Sequence, residues 1–231
     1  MPRLLKRRPL LIVACGRSGT LYVCRLFHKI GIDLGHEHVG KFGCCSMYFA
    51  PNNSDFSIVN HGQKVPIHRG ESKQDFKFEH IWHQVRHPLP TIDSLAKVFT
   101  HKVRLWTHEA IGVPLPGTSG KRRCEMEDKI HWAMHYWVIN NQLCKAQSEW
   151  TYRLEAIPWE QMLDRIGIEQ TPIPDVSTTT NHSLRFATRS KTQIEEIKKH
   201  MYDTQWHTLR QINRDLAEEI KEMAVAYGYK N

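Results

Sequence analysis

No apolar run in the 231 residues reaches the roughly 20 that a helix needs to cross a bilayer. The six cysteines, Cys15, Cys24, Cys44, Cys45, Cys124 and Cys144, form no C-x-x-C pair and no framework spacing. That argues against a disulfide-stapled scaffold and points to reduced thiols, hence a cytoplasmic protein. Fifteen histidines are present, with His36, His38, His80, His83 and His87 clustered in two stretches. No H-E-x-x-H run and no Cys/His set accompanies them, so no metal is expected. Also missing is G-x-x-x-x-G-K-[ST], the phosphate loop of ordinary nucleoside triphosphatases. No internal repeat or low-complexity tract interrupts the chain.

What is there suits a single globular domain over residues 1–231. The composition, 40% hydrophobic and 24% charged, is ordinary for such a domain. The net charge of +8 suits an anionic ligand. The basic residues are spread out, apart from Lys6-Arg7-Arg8 and Lys121-Arg122-Arg123, so no nucleic-acid partner is expected. Ile12-Val13-Ala14-Cys15 imitates a lipoprotein cleavage box. The apolar stretch before it is too short for a signal peptide, and Pro9 interrupts its start. Residues 1–8 therefore read as a basic lead-in.

From Leu10 to Ala14 the run is apolar and β-branched, as in a strand buried on both faces of a parallel sheet. Gly16-Arg17-Ser18-Gly19-Thr20 follows, and then helical spacing from about Ser18 to Lys29, ending near Gly31. Residues 41–75 lack periodicity and read as wall and rim of a substrate cleft. A second strand spans about His80 to Val85, with a helix after it through Ile92, Leu95, Ala96 and Phe99. Residues 106–125 read as a surface loop or lid. A helix is expected over Lys129 to Gln147, with one amphipathic face of Trp132, Tyr136, Ile139 and Leu143. A third strand is expected from Trp150 to Ile157, then a helix from Pro158 to Ile166 and a polar connection from Thr171 to Arg189. Two helical stretches follow, the first marked by Ile194 and Ile197, the last by Leu209 to Ala224. This order predicts an α/β fold with a parallel sheet. Right-handed crossovers bring the loops that follow the strands to one edge of that sheet.

A strand, a glycine loop and a helix start together hold an anion. Glycine lets the backbone approach, and the first N–H groups of the helix point at the ligand. Arg17 adds a charge that forks onto two oxygens. R-S-G-T at 17–20 resembles the phosphosulfate loop of the sulfotransferases, most of all the tyrosylprotein-type and bacterial ones. Val85-Arg86-His87-Pro88, with Ser94 eight residues after Arg86, resembles the family's 3′-phosphate site, an arginine ending a strand and a serine on the next helix. Tyr136-Trp137 with Asn141 resembles a run common in bacterial members. Tyr152-Arg153-Leu154-Glu155 resembles the family's later strand, although Leu154 stands where the family often has Tyr. Arg153, Glu155, Trp137 and Asn141 read as structural. The family's Arg-Lys-Gly motif is absent, and Lys191 and Arg185 are the candidates to complete the site.

The resemblance implies a three-layer, P-loop-like α/β fold. It implies transfer of a sulfuryl group from 3′-phosphoadenosine 5′-phosphosulfate to an acceptor hydroxyl, with adenosine 3′,5′-bisphosphate as product and no metal. Carbohydrate, lipid, small alcohol and peptide tyrosine all remain open as acceptors. Arg17 would neutralise charge on the leaving phosphate. The backbone of Ser18, Gly19, Thr20 and Leu21 would cradle the 5′-phosphate, and Arg86 and Ser94 would bind the 3′-phosphate. Tyrosylprotein-type members use a glutamate as base, and Glu37 has the corresponding position, with His36 and His38 as the other candidates. Arg17 is expected to keep Glu37 ionised at neutral pH. The alternatives are a nucleotide or nucleoside kinase, and a non-catalytic polyanion-binding protein using residues 42–49 and 121–123.

Overall fold

A computed structural model describes residues 5–49, 57–60, 63–66, 76–115, 125–176 and 204–230. The chain divides into two units, residues 1–86 with 140–177, and residues 87–139 with 178–231. Among the described residues no helix is long and apolar enough to cross a membrane.

The first unit is α/β. Five parallel strands form its sheet: β1 (Lys6–Ala14), β2 (Leu34–His36), β3 (Gly43–Ser46), β6 (Phe76–Val85) and β7 (Trp150–Arg153), in the order β2-β3-β1-β6-β7. A separate antiparallel hairpin joins β4 (Ser57–Asn60) to β5 (Gln63–Pro66). Side chains alternate across a strand, so β1 splits its apolar run between two faces. Leu10 and Ile12 pack with Val23, Leu26 and Phe27 of α1 (Thr20–Lys29) and with Trp159, Met162 and Leu163 of α5 (Trp159–Arg165). Leu11 and Val13 pack on the other face with Cys44, Phe49 and Cys144, the last from α4 (Met126–Gln147). The result is a central parallel sheet between helical layers, as the sequence predicts.

Several boundaries differ for physical reasons. The strand begins at Lys6, so the basic lead-in is partly strand. Pro9 is tolerated there because pairing with β3 starts only at Leu10, and the β6 register passes over Pro9. Residues 41–75 are not all irregular: β3 lies among them and packs between β1 and β2. Its apolar content is two cysteines and its length four residues, too short for a period. Gly43 is required there, because a Cβ would collide with the Leu10 carbonyl oxygen across the ladder. The third strand stops at Arg153, and Leu154–Ala156 form a 3₁₀ turn.

The second unit holds α2 (Pro88–Val98), α3 (His101–Ile111), the first part of α4, α6 (Trp206–Ile212) and α7 (Arg214–Ala226). α3 takes up the start of the segment expected to be a lid, residues 106–111. Trp106 and Thr107 are buried, and the Trp132 indole N–H donates to the Thr107 hydroxyl at 3.2 Å. α4 is longer than its periodicity suggests and is not simply amphipathic. Trp132, Ala133, Met134, Tyr136, Trp137 and Val138 are all buried, which covers most of its circumference, whereas Ile139 and Leu143 are only half-buried. The last stretch is two helices, separated at Asn213, whose side-chain oxygen caps α7 by accepting from the Leu216 N–H at 3.1 Å. The Ile194–Ile197 stretch, Arg185, Lys191 and residues 121–123 lie outside the described residues.

Candidate functional site

β1 and β6 are neighbours, and their register runs from Lys6↔Phe76 to Ala14↔Gln84. The chain leaves β1 toward β2 and β3 and leaves β6 toward β7. The carboxyl ends of β1 and β6 therefore flank the point where the connections diverge, which is where open α/β sheets bind ligands. The glycine loop follows β1 there, and Arg86 follows β6.

The loop has a specific shape. Arg17 has φ of 67° and Gly19 φ of 83°, two left-handed residues flanking Ser18. Such alternation turns backbone N–H groups inward and makes an anion-binding concavity. Leu154 packs hard against the loop: a Cβ on Gly19 would sit 2.5 Å from its Cδ2. Gly19 is the N-cap of α1 and no side chain caps that end, so the first N–H groups of the helix lack intrahelical acceptors. The helix proper starts at Thr20 rather than Ser18. The Ser18 hydroxyl is fully buried and has no hydrogen-bond partner among the described residues. A buried orphan hydroxyl costs free energy unless something fills its need.

Two side chains of β6 and its end hold the loop from below. The buried Gln84 amide donates to the Ser18 carbonyl, and the Tyr152 hydroxyl donates to Gln84 Oε1 at 2.7 Å. The Arg86 guanidinium donates to the Arg17 carbonyl at 3.0 Å. Arg86 is thus partly a structural brace of the loop as well as a half-buried cation beside it.

Glu37 follows β2, at φ of 56°. Its Oε2 accepts from the Ser46 hydroxyl at 2.6 Å, and its Oε1 from the Met47 N–H at 3.4 Å. The Ser46 hydroxyl accepts in turn from the Tyr48 N–H at 3.0 Å. His36 connects this carboxylate to the loop. Its Nε2 lies 2.9 Å from the Thr20 hydroxyl and 3.7 Å from Glu37 Oε1. His38 is exposed and its Nδ1 meets the His36 carbonyl at 2.8 Å.

Electrostatics correct one expectation. Burial pushes the Glu37 carboxyl up from 4.5 to about 7, against the opposing pull of the Ser46 and Met47 hydrogen bonds. Glu37 is therefore not held firmly ionised by Arg17. Burial, with His38 and Arg25 nearby, lowers His36 from 6.5 to about 4. Burial and the Glu37 charge raise the Tyr48 phenol above its usual range. His83, buried on β6, is lowered to about 4 by burial, against the hydrogen bond to Asn141 Oδ1 at 3.0 Å that favours its charged form.

Comparison with protein families, with curated proteins and with solved structures gave no match. Arg17, Ser18, Gly19, Thr20, Leu21, Arg86 and Glu37 all belong to the first unit. Ser94 belongs to the second, half-buried on α2, whose first turn carries Pro88 and is capped by the His87 side chain. The Asn141 side-chain oxygen pairs with His83 Nε2. The sequence reading missed Ser46, Gln84 and the Thr20–His36 contact. Gln84 carried a signal: a polar amide inside an apolar strand needs two buried partners. Ser46 carried none, being hidden in the aperiodic 41–75 stretch.

Proposed function

We propose that the protein is a sulfotransferase that moves a sulfuryl group from 3′-phosphoadenosine 5′-phosphosulfate to an acceptor hydroxyl. The observation that carries this reading is the loop at 16–20: two left-handed residues, an uncapped helix start and a buried unpaired hydroxyl, with Arg17 and Arg86 beside it. These residues fit a dianionic phosphate better than a neutral ligand. The kinase alternative lacks the loop lysine that bridges β- and γ-phosphates.

The reaction is an in-line displacement. The acceptor oxygen bonds to sulfur, the bond from sulfur to the 5′-phosphate oxygen breaks, and the acceptor proton leaves to a base. Catalysis of this kind is mainly positioning and charge stabilisation. Arg17 and the N–H groups of the α1 start stabilise the charge that grows on the leaving phosphate. Arg86 is assigned to the 3′-phosphate. Glu37 takes the proton, and a carboxylate near pH 7 is well matched to that task.

The test uses labelled sulfate donor and a panel of sugars, phenols and steroid alcohols. Glu37→Gln should cut turnover by about 10²–10⁴-fold, the usual share of a general base. His36→Asn and His38→Asn should each cost less. Near-normal turnover in Glu37→Gln, with loss in His36→Asn or His38→Asn, moves the base to that histidine.

A further inference from the structure

We propose that His36 regulates Glu37: an anion entering the loop moves a proton from the Glu37 carboxyl to His36 Nε2. The inference rests on the reading that the loop binds an anion and Glu37 is the base. The geometry behind it is the chain Thr20 Oγ1, His36 Nε2, Glu37 Oε1, with steps of 2.9 and 3.7 Å.

Thr20 is the first residue of α1, so its hydroxyl lies at the mouth of the anion-binding turn. In the empty state of this proposal, that hydroxyl donates to His36 Nε2 across the 2.9 Å contact, and the imidazole carries its one proton on Nδ1. An anion in the loop is a better acceptor than an imidazole, so the hydroxyl turns to it. Nε2 then faces the Thr20 oxygen lone pairs and requires a proton. The nearest carboxyl is Glu37, which burial pushes up to about 7. The O–H bond at Glu37 breaks, an N–H bond forms at Nε2, and Nδ1 keeps its hydrogen. The product is an imidazolium beside a carboxylate. The move carries positive charge toward the bound anion, so the anion drives it.

The groups facing His36 are accounted for. From α1 come Thr20 and the Arg25 charge, which opposes protonation. From its own stretch come Glu37 and His38, the first favouring an imidazolium and the second opposing it. β3 contributes Cys45 in register with His36, and Ser46 bound to Glu37. Burial opposes the charged ring most strongly and keeps it neutral while the loop is empty. In the molecules whose Glu37 carboxyl holds a proton, the base is thereby masked until the donor site is filled.

The experiment follows the His36 ring nitrogens and the Glu37 carboxyl carbon by NMR at pH 6.5 in the full chain. Adenosine 3′,5′-bisphosphate, inorganic phosphate and Mg-ATP are each added, and melting shifts report binding independently. Expected with bisphosphate is Nε2 changing from unprotonated to protonated while the Glu37 carbon moves to its carboxylate position. In His36→Gln, which can still bond Thr20 but cannot take a charge, Glu37 should stay protonated on binding. Stabilisation by bisphosphate without a change at Nε2 overturns the inference and leaves the sulfotransferase reading standing. The proton shift with phosphate or Mg-ATP but not with bisphosphate supports the relay and overturns the sulfotransferase reading. No stabilisation by any of the three overturns both.

Discussion

Replacing Glu37 with glutamine should make the protein's stability respond differently to pH, by an amount set by the site. Burial raises the carboxyl from 4.5 to about 7, a change worth roughly 3 kcal/mol between the two protonation states. The side chain is 24% exposed, so solvent screening reduces this modestly. The sign follows from linkage. Between pH 4.5 and 7 the native state holds a proton that the unfolded state has lost, so stability falls as pH rises through that window. The contribution is fully present below 4.5 and gone above about 7. Glutamine cannot titrate. Its amide oxygen can accept from Ser46 as Glu37 Oε2 does, and only the long 3.4 Å contact to Met47 is compromised. Urea unfolding of both proteins at pH 5 and pH 8 gives the difference free of all other groups. The variant should gain about 2–3 kcal/mol relative to wild type on going from pH 5 to pH 8. An equal difference at the two pH values would mean the carboxyl is not raised, and the masked-base account loses its foundation.

Other consequences can be measured alongside. Gly19→Ala should destabilise by about 1–2 kcal/mol through its left-handed backbone, plus a clash with Leu154. Adding Leu154→Ala should recover only the clash, which a double-mutant cycle resolves. Gln84→Leu leaves the Ser18 carbonyl and Tyr152 hydroxyl unpaired, and should cost about 1–3 kcal/mol per group in chemical denaturation. Arg86→Ala should weaken adenosine 3′,5′-bisphosphate more than adenosine 5′-phosphate in calorimetric titration, by about 1.5–3 kcal/mol. Some loss with both ligands is expected, because Arg86 also braces the Arg17 carbonyl. Acid should act through His83 and His36, both lowered from 6.5 to about 4. Their unfolded forms take up protons first, so stability present above pH 6.5 is lost as pH falls toward 4. In His83→Gln, Tm should fall less steeply between pH 6.5 and 4.5 than in wild type.

Elements that carry their own signal were legible. Leu10–Ala14 reads as a strand because burial on both faces leaves no polar position, and the glycines of 16–20 read as a turn between that strand and a helix, where Gly19 takes a φ of 83°. Glu37 was singled out as a candidate by the position that the resemblance implies for a base. Its environment was not legible, because Ser46 lies on a four-residue strand whose place between β1 and β2 is decided by tertiary pairing. The same holds for His36, which reads as a member of a polar turn until α1 brings Thr20 against it. Gln84 shows the reverse: its burial was implied by its neighbours, but its partners come from the loop and from β7. Local pattern reports periodicity and turns, whereas hydrogen bonds between segments far apart in sequence require the assembled sheet.

The melting temperature of the protein with adenosine 3′,5′-bisphosphate, set against that with Mg-ATP, tests the central claim most directly. A ligand at a hundred times its dissociation constant adds about 2.7 kcal/mol. Each kcal/mol moves the transition of a chain this size by roughly 2–4 °C. The account predicts a rise of roughly 5–11 °C with bisphosphate, a much smaller one with Mg-ATP, and loss of the bisphosphate effect in Arg17→Ala. A clear rise with Mg-ATP and none with bisphosphate would contradict it.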